Sequence, residues 1–124
     1  DFTASMEDVP DMVPTMAVLA ALRPGRTFIR NVPHLRLKES NRLAALVTEL
    51  AKTGVRAEEL EDGLVVTGGK PRGAEIETYN DHRIAMSFAV LGLVAPGMRI
   101  RNPGCVGKSF PGFWTELEKL YKTT

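Results

Sequence analysis

The chain repeats itself. Ala17-Val18-Leu19-Ala20, followed by Pro24-Gly25, returns as Ala89-Val90-Leu91-Gly92, followed by Pro96-Gly97, 72 positions later. Each Pro-Gly leads into a short β-type run that ends in Arg-Asn: Thr27-Phe28-Ile29-Arg30-Asn31, then Met98-Arg99-Ile100-Arg101-Asn102. A basic loop and a second apolar-periodic segment follow each one. This period is too long for the minimal unit of a solenoid. It fits a domain assembled from copies of an α+β unit, with repeats at about 6–60 and 74–124.

Within each repeat the two predicted helices differ. Asp11–Leu22 and Asp81–Ala95 are apolar almost all round, as a buried helix is. Each opens on an Asp able to cap free N–H groups, Pro14 suits a first turn, and the Pro-Gly pairs end them. The second helices are amphipathic. Leu43, Leu46, Val47 and Leu50 recur at helical spacing after a Ser40 or Asn41 cap, with Gly54 as the stop. Pro111 opens the other, with Phe113, Trp114, Leu117 and Leu120 along one side. Between the repeats, Val55–Leu60 and Leu64–Thr67 flank an Asp-Gly turn and predict a hairpin. Ala74–Thr78 predicts another short strand. The fold class is α+β, with buried helices beneath a sheet surface.

Composition narrows the function. With 44% apolar and 25% charged residues the chain is ordinary globular material. A net charge of +1 argues against a general nucleic-acid or anionic-membrane coat, so neither partner is expected. One cysteine, Cys105, excludes a disulfide framework and a Cys-rich zinc site. The longest apolar stretch, Ile84 to Pro96, is broken by Ser87 and too short to span a bilayer. No basic n-region with an apolar h-region opens the chain. A cytoplasmic setting is expected. The arrangement of charge says more than its total. Met12 to Lys38 holds no acid but contains Arg23, Arg26, Arg30, Arg36 and Lys38. His82 to Thr115 holds none either, with Arg83, Arg99, Arg101 and Lys108. Such windows are places to hold an anion.

Four clusters could do chemistry. Arg36-Leu37-Lys38-Glu39-Ser40-Asn41-Arg42 sets three cations and a carboxylate at the start of an amphipathic helix, where unpaired N–H groups also welcome an anion. Glu39 reads there as an ion-pair partner of the cations or as a capping carboxylate. Tyr79-Asn80-Asp81-His82-Arg83 opens the second buried helix. Asp81 is an N-cap candidate, whereas Arg83 opposes the helix dipole and so needs a partner, either Asp81 or a bound anion. His82 reads as structural, and no neighbouring ligand set predicts a metal. Cys105-Val106-Gly107-Lys108-Ser109-Phe110-Pro111 has the recipe of a phosphate loop without the first glycine of a Walker A motif. Cys105 itself reads as an inert thiol. In Asp8-Val9-Pro10-Asp11-Met12-Val13-Pro14-Thr15, Asp11 is either a helix cap or a base placed to accept a hydroxyl proton.

Together these motifs resemble the C-terminal part of the 5-enolpyruvylshikimate-3-phosphate synthase family, the 3-phosphoshikimate 1-carboxyvinyltransferases. Val9-Pro10-Asp11 with Pro14-Thr15-Met16-Ala17, Arg36 to Arg42, Tyr79 to Met86 and Cys105 to Pro111 carry the resemblance, which runs from about Met6 to Leu120. It implies a domain of repeated βαβαββ units with buried helices under mixed sheets, two units being present here. It implies no metal and no organic cofactor. The reaction implied is attack of the 5-hydroxyl of shikimate 3-phosphate on C2 of phosphoenolpyruvate, followed by loss of phosphate and a C3 proton. The family places a base at Asp11, where a carboxylate contacts the shikimate hydroxyls. It places a C3 proton shuttle at Glu39 and a shikimate 3-phosphate ligand at Lys38. Arg42 and Arg83 match phosphoenolpyruvate ligands, and Lys108 matches a ligand of its phosphate that assists proton transfer. Asp81 is supporting. His34 stands where some members carry an Asn that contacts shikimate 3-phosphate. Asn41 and Ser109 replace a common Asp and Thr.

Family members are longer, with two domains and a cleft between them. The resemblance therefore makes residues 1–124 the C-terminal part of a second domain whose partner is the missing N-terminal domain of the same chain. The piece alone is expected to be inactive. Two rivals remain at this stage: the related enolpyruvyl transferase acting on UDP-N-acetylglucosamine, and a non-catalytic anion-binding module.

Overall fold

The computed structural model describes residues 1–106 and 112–123. Strand β1 (Phe2–Ser5), helix α1 (Val13–Leu22), strand β2 (Gly25–Arg30), helix α2 (Arg42–Lys52), strand β3 (Arg56–Leu60) and strand β4 (Gly63–Gly68) form the first half. Strand β5 (Glu75–Ile76), helix α3 (His82–Leu91), strand β6 (Arg99–Ile100) and helix α4 (Phe113–Thr123) form the second. The larger sheet has the order β1-β2-β4-β3, with β1 parallel to β2 and the other two pairings antiparallel. β5 and β6 form a separate parallel pair. This is the α+β architecture expected, with mixed sheets.

The two halves share several backbone features. Gly25 and Gly97 both lie in the left-handed region, at φ 95° and 91°, where a side chain would be strained. Asn31 and Asn102, which close the two Arg-Asn runs, are also left-handed, at φ 65° and 49°. Each Asn amide reaches back to the segment behind the preceding strand, Asn31 to Ser5 Oγ at 2.8 Å and Asn102 to Asn80 Oδ1 at 3.2 Å. A proline-led 3-10 turn follows each, over Pro33–Leu37 and Pro103–Val106. The halves therefore share βαβα, and the first adds the predicted hairpin. Strand β1 carries no alternation that would announce it; pairing with β2 makes it a strand.

Alternation decides which side of the larger sheet faces the core. Ile29, Leu64 and Val66 join the buried cluster, while Arg26, Phe28 and Val65 line the opposite face. Leu43, Leu46 and Leu50 of α2 and Val13, Ala17 and Ala21 of α1 complete that core. Shortening a side chain as buried as Leu46 to Ala costs about 2–5 kcal/mol. Helix α3 lies between two cores, giving Ile84, Phe88 and Leu91 to one and Ala85 and Ala89 to a second built on Val106, Phe113 and Leu117. That explains its nearly uniform apolar sequence. The expectation of complete burial is corrected at Leu19, Leu22, Val90 and Val94, which are exposed. No described helix is long and apolar enough to cross a membrane.

Candidate active site

Three stretches far apart in sequence meet at one guanidinium. Arg42 is the first residue of α2, behind Asn41, whose Oδ1 caps the helix by accepting from the Ala44 N–H at 3.1 Å. A cation in this position opposes the helix dipole, so its stability comes from elsewhere. Its side chain is 1% exposed and grips Asp81 side-on, with Nε to Oδ2 at 2.9 Å and Nη2 to Oδ1 at 3.2 Å. Nη1 donates to Asp11 at 3.1 Å and Nη2 donates to Glu39. Of five N–H donors, one on Nη1 has no partner among the described residues.

Asp81 is the N-cap of α3 and is fully buried. It accepts from the Arg83 N–H at 3.0 Å and from Ser40 Oγ at 2.7 Å, besides Arg42. Burial alone would raise its pKa, but the hydrogen bonds from Arg42 and Ser40 and the Arg42 charge outweigh it and hold the carboxyl below its usual range. Arg42 moves in the matching direction. Burial works against its charge, yet Asp81 first, then Glu39 and Asp11, carry its pKa above the ordinary value. The pair is a dry, ionised floor.

The rim is wet. Asp11 is 51% exposed on a 3-10 turn, Pro10–Met12, ahead of α1. The expectation that it caps that helix is corrected: the N-cap is Met12 and no side chain caps it, because the Asp11 carboxylate is turned toward Arg42. Lys38 Nζ and Arg83 Nη2 each approach Asp11 only to 3.9 Å. Glu39, 49% exposed, also has His82 Nδ1 at 3.8 Å. Asp11, Lys38, Glu39, Arg42, Asp81 and Arg83 are thus in one place. His34 is exposed on the Pro33–Leu37 turn, and among the described residues nothing ties it to this cluster. Lys108 and Ser109 lie outside the described residues. Ser40, expected as a possible helix cap, instead holds a carboxylate 41 positions away, a contact with no local signal. Burial pushes the Cys105 thiol up, as suits an unreactive one.

Ligand atoms of Glu39, Asp81 and His82 come within 4.8 Å of one another. Arg42 already stands among those carboxylates as the fixed cation, so the geometry is that of an ion-pair cluster. Three cations face three carboxylates. Asp81 is fully engaged and Arg42 keeps a single N–H, whereas Lys38 and Arg83 keep most of their donors for an incoming anion, beside two carboxylates able to exchange protons.

The chain thus combines a repeated α+β arrangement with cations and exposed carboxylates gathered at its helix N-termini, and its fold is that of the enolpyruvyl transferase-like domain of solved EPSP synthases. The chain belongs to the EPSP synthase (3-phosphoshikimate 1-carboxyvinyltransferase) family, whose model matches residues 2–117. It is 51% identical over 117 residues to the 3-phosphoshikimate 1-carboxyvinyltransferase of Syntrophobacter fumaroxidans, covering 93% of this chain and 28% of that protein. Against the same enzyme of Thermococcus kodakarensis it is 50% identical over 115 residues, covering 91% and 28%. The solved EPSP synthase of Acinetobacter baumannii superposes with a TM-score of 0.83 at 36% identity, over 91% of this chain and 28% of that one. The chain therefore spans little more than a quarter of the relatives it matches.

Proposed function

We propose that this chain is the C-terminal part of the second domain of a two-domain enzyme that transfers the enolpyruvyl group of phosphoenolpyruvate to the 5-hydroxyl of shikimate 3-phosphate. In this reading its two units run over about 6–60 and 74–124. The convergence of Asp11, Lys38, Glu39, Arg42 and Arg83 around one buried ion pair carries the reading. The missing N-terminal domain closes the cleft, and the enzyme works in the cytoplasm.

Asp11 lies between Arg42 and Arg83. The carboxylate of phosphoenolpyruvate takes that place, using the spare Arg42 Nη1 hydrogen and the Arg83 fork. Asp11 is released toward the shikimate ring and accepts the 5-hydroxyl proton as oxygen attacks C2. Glu39 delivers a proton to C3, giving a methyl group on a tetrahedral carbon. Cleavage of the C2–O bond then expels phosphate, which takes the proton held by Asp11 and leaves as hydrogen phosphate, while one C3 proton returns to Glu39 and the double bond is restored. Lys38 holds shikimate 3-phosphate, and Lys108 serves the departing phosphate. Asp81 takes no proton; it keeps Arg42 in place. No role is assigned to His34.

Phosphate release from both substrates by the full-length parent tests the reading. Glu39→Gln lowers kcat there by about 10²–10⁴-fold, the range of a lost general acid–base group, with substrate binding retained. Unchanged turnover removes Glu39 from the mechanism. A parent protected by UDP-N-acetylglucosamine and indifferent to shikimate 3-phosphate overturns the substrate assignment. The chain by itself, lacking the other wall of the cleft, releases no phosphate.

A further inference from the structure

A second buried carboxylate lies on the face of α2 that carries Arg42, two helical turns further on. Glu49 is 0% exposed and accepts from three donors: Lys52 Nζ at 2.7 Å, the Glu77 N–H at 2.9 Å and the Tyr79 hydroxyl at 2.6 Å. Tyr79 and the next residue, Asn80, both stand in the left-handed region, at φ 56° and 54°. That backbone is unfavourable for a side chain as large as Tyr and persists only where the surroundings enforce it. Asp81 follows at once, with its N–H on Thr78 O at 2.8 Å and its carboxylate on Arg42.

The strained turn is therefore held from both ends by one helix. Glu49 holds its start through the Tyr79 hydroxyl and the Glu77 N–H, and Arg42 holds its end through Asp81. Because α2 carries both anchors, residues 77–81 cannot shift along it without breaking one. Arg83 hangs from this arrangement, since its N–H is capped by Asp81 and its guanidinium is aimed at Asp11. Among the described residues, Glu49 and Tyr79 make no hydrogen bond or ion pair with Asp11, Lys38, Glu39 or Arg83, so whatever they do for the site passes through the turn.

The geometry points to Glu49 and Tyr79 as positioning residues, whose hydrogen bond holds the left-handed turn before α3 and thereby fixes Arg83 to receive the carboxylate of phosphoenolpyruvate. This rests on the substrate reading given above. Burial first, then the Glu49 hydrogen bond and charge, push the Tyr79 phenol well above its usual range, so it remains a donor at any working pH.

Tyr79→Phe in the full-length parent is the test. Tyr79 is 38% exposed, so the change removes one hydroxyl and leaves the packing. The KM for phosphoenolpyruvate rises about tenfold with kcat nearly unchanged, the size of one hydrogen bond to a charged group. In the same variant, hydrogen exchange at the Arg83 amide accelerates by about tenfold while the β4 amides keep their protection. An unchanged KM overturns the proposal whatever the exchange shows, because a merely structural bond alters protection without altering substrate affinity. A raised KM with unaltered Arg83 exchange overturns it as well. If the unsubstituted parent does not turn over the two substrates, the substrate reading fails; the exchange comparison then judges the turn alone, faster exchange supporting it and equal exchange overturning it.

Discussion

Arg42 and Arg83 occupy nearly the same local position and lead different lives. Each sits in the first turn of a helix, against the dipole, and each faces Asp11. Arg42 is buried against a buried carboxylate, with hydrogen bonds on four of its five donors. Arg83 stands half in solvent, with an ionic contact of 3.9 Å. The contrast separates two tasks. A desolvated ion pair is expensive to break and so holds geometry, while a hydrated cation in loose contact can exchange a protein carboxylate for a ligand at little cost. Arg42 builds the floor and has one N–H to spare, whereas Arg83 has its fork open to a ligand.

The sharpest way to break this contrast is Arg42→Ala. It strands Asp81 in the interior with only Ser40 and the Arg83 N–H as partners, at a cost of about 3–5 kcal/mol, visible as a lowered urea midpoint of this chain. Arg83→Ala leaves the floor intact, and its backbone N–H still reaches Asp81. Unfolding free energy then changes by less than about 0.5 kcal/mol. In the full-length parent the same change raises the KM for phosphoenolpyruvate by about 10- to 100-fold, as loss of a charge-assisted contact does. Equal stability losses for the two variants would erase the distinction between floor and rim.

Much of this was legible in the residues. The Leu43, Leu46, Leu50 spacing, the Asp62-Gly63 turn and the duplicated Pro-Gly are local signals, and α2, the hairpin and the left-handed Gly25 and Gly97 follow from them. Strand β1 was not foreseen, because its pairing with β2 joins residues about 25 positions apart and its own sequence is neutral. The exposure of Leu19 and Val90 was missed for a related reason: an apolar residue states a preference for burial, not whether any element covers it. At the site, the residue types were readable motif by motif, but their partnership was not. Arg42 meets Asp11 across 31 positions and Asp81 across 39. The sequence around Asp11 admits both a cap and a base, the cap because Asp before an apolar run usually is one; a guanidinium from another helix competes for the carboxylate and removes the cap.

The smallest of the expected effects concerns acid. Asp81 has its carboxyl held below the usual range in the folded chain, against about 3.9 in an unfolded one. A carboxylate whose pKa falls on folding contributes stability that is complete above the unfolded value and is lost as pH drops through the folded one. The contribution of Asp81 is thus whole at neutral pH and disappears progressively below about pH 4. Asp81→Asn keeps an acceptor for the helix cap but has no proton to take up, so its unfolding free energy falls less steeply over that range. Salt discriminates further. The Asp1–Arg26 pair, half-exposed on both sides, is screened at high ionic strength, whereas the Arg42–Asp81 pair is shielded from ions. The acid slope attributable to Asp81 should therefore persist in concentrated salt. A slope that Asp81→Asn leaves unchanged, or that salt removes entirely, would mean that the floor is as wet as the rim and that Arg42 and Arg83 differ only in degree.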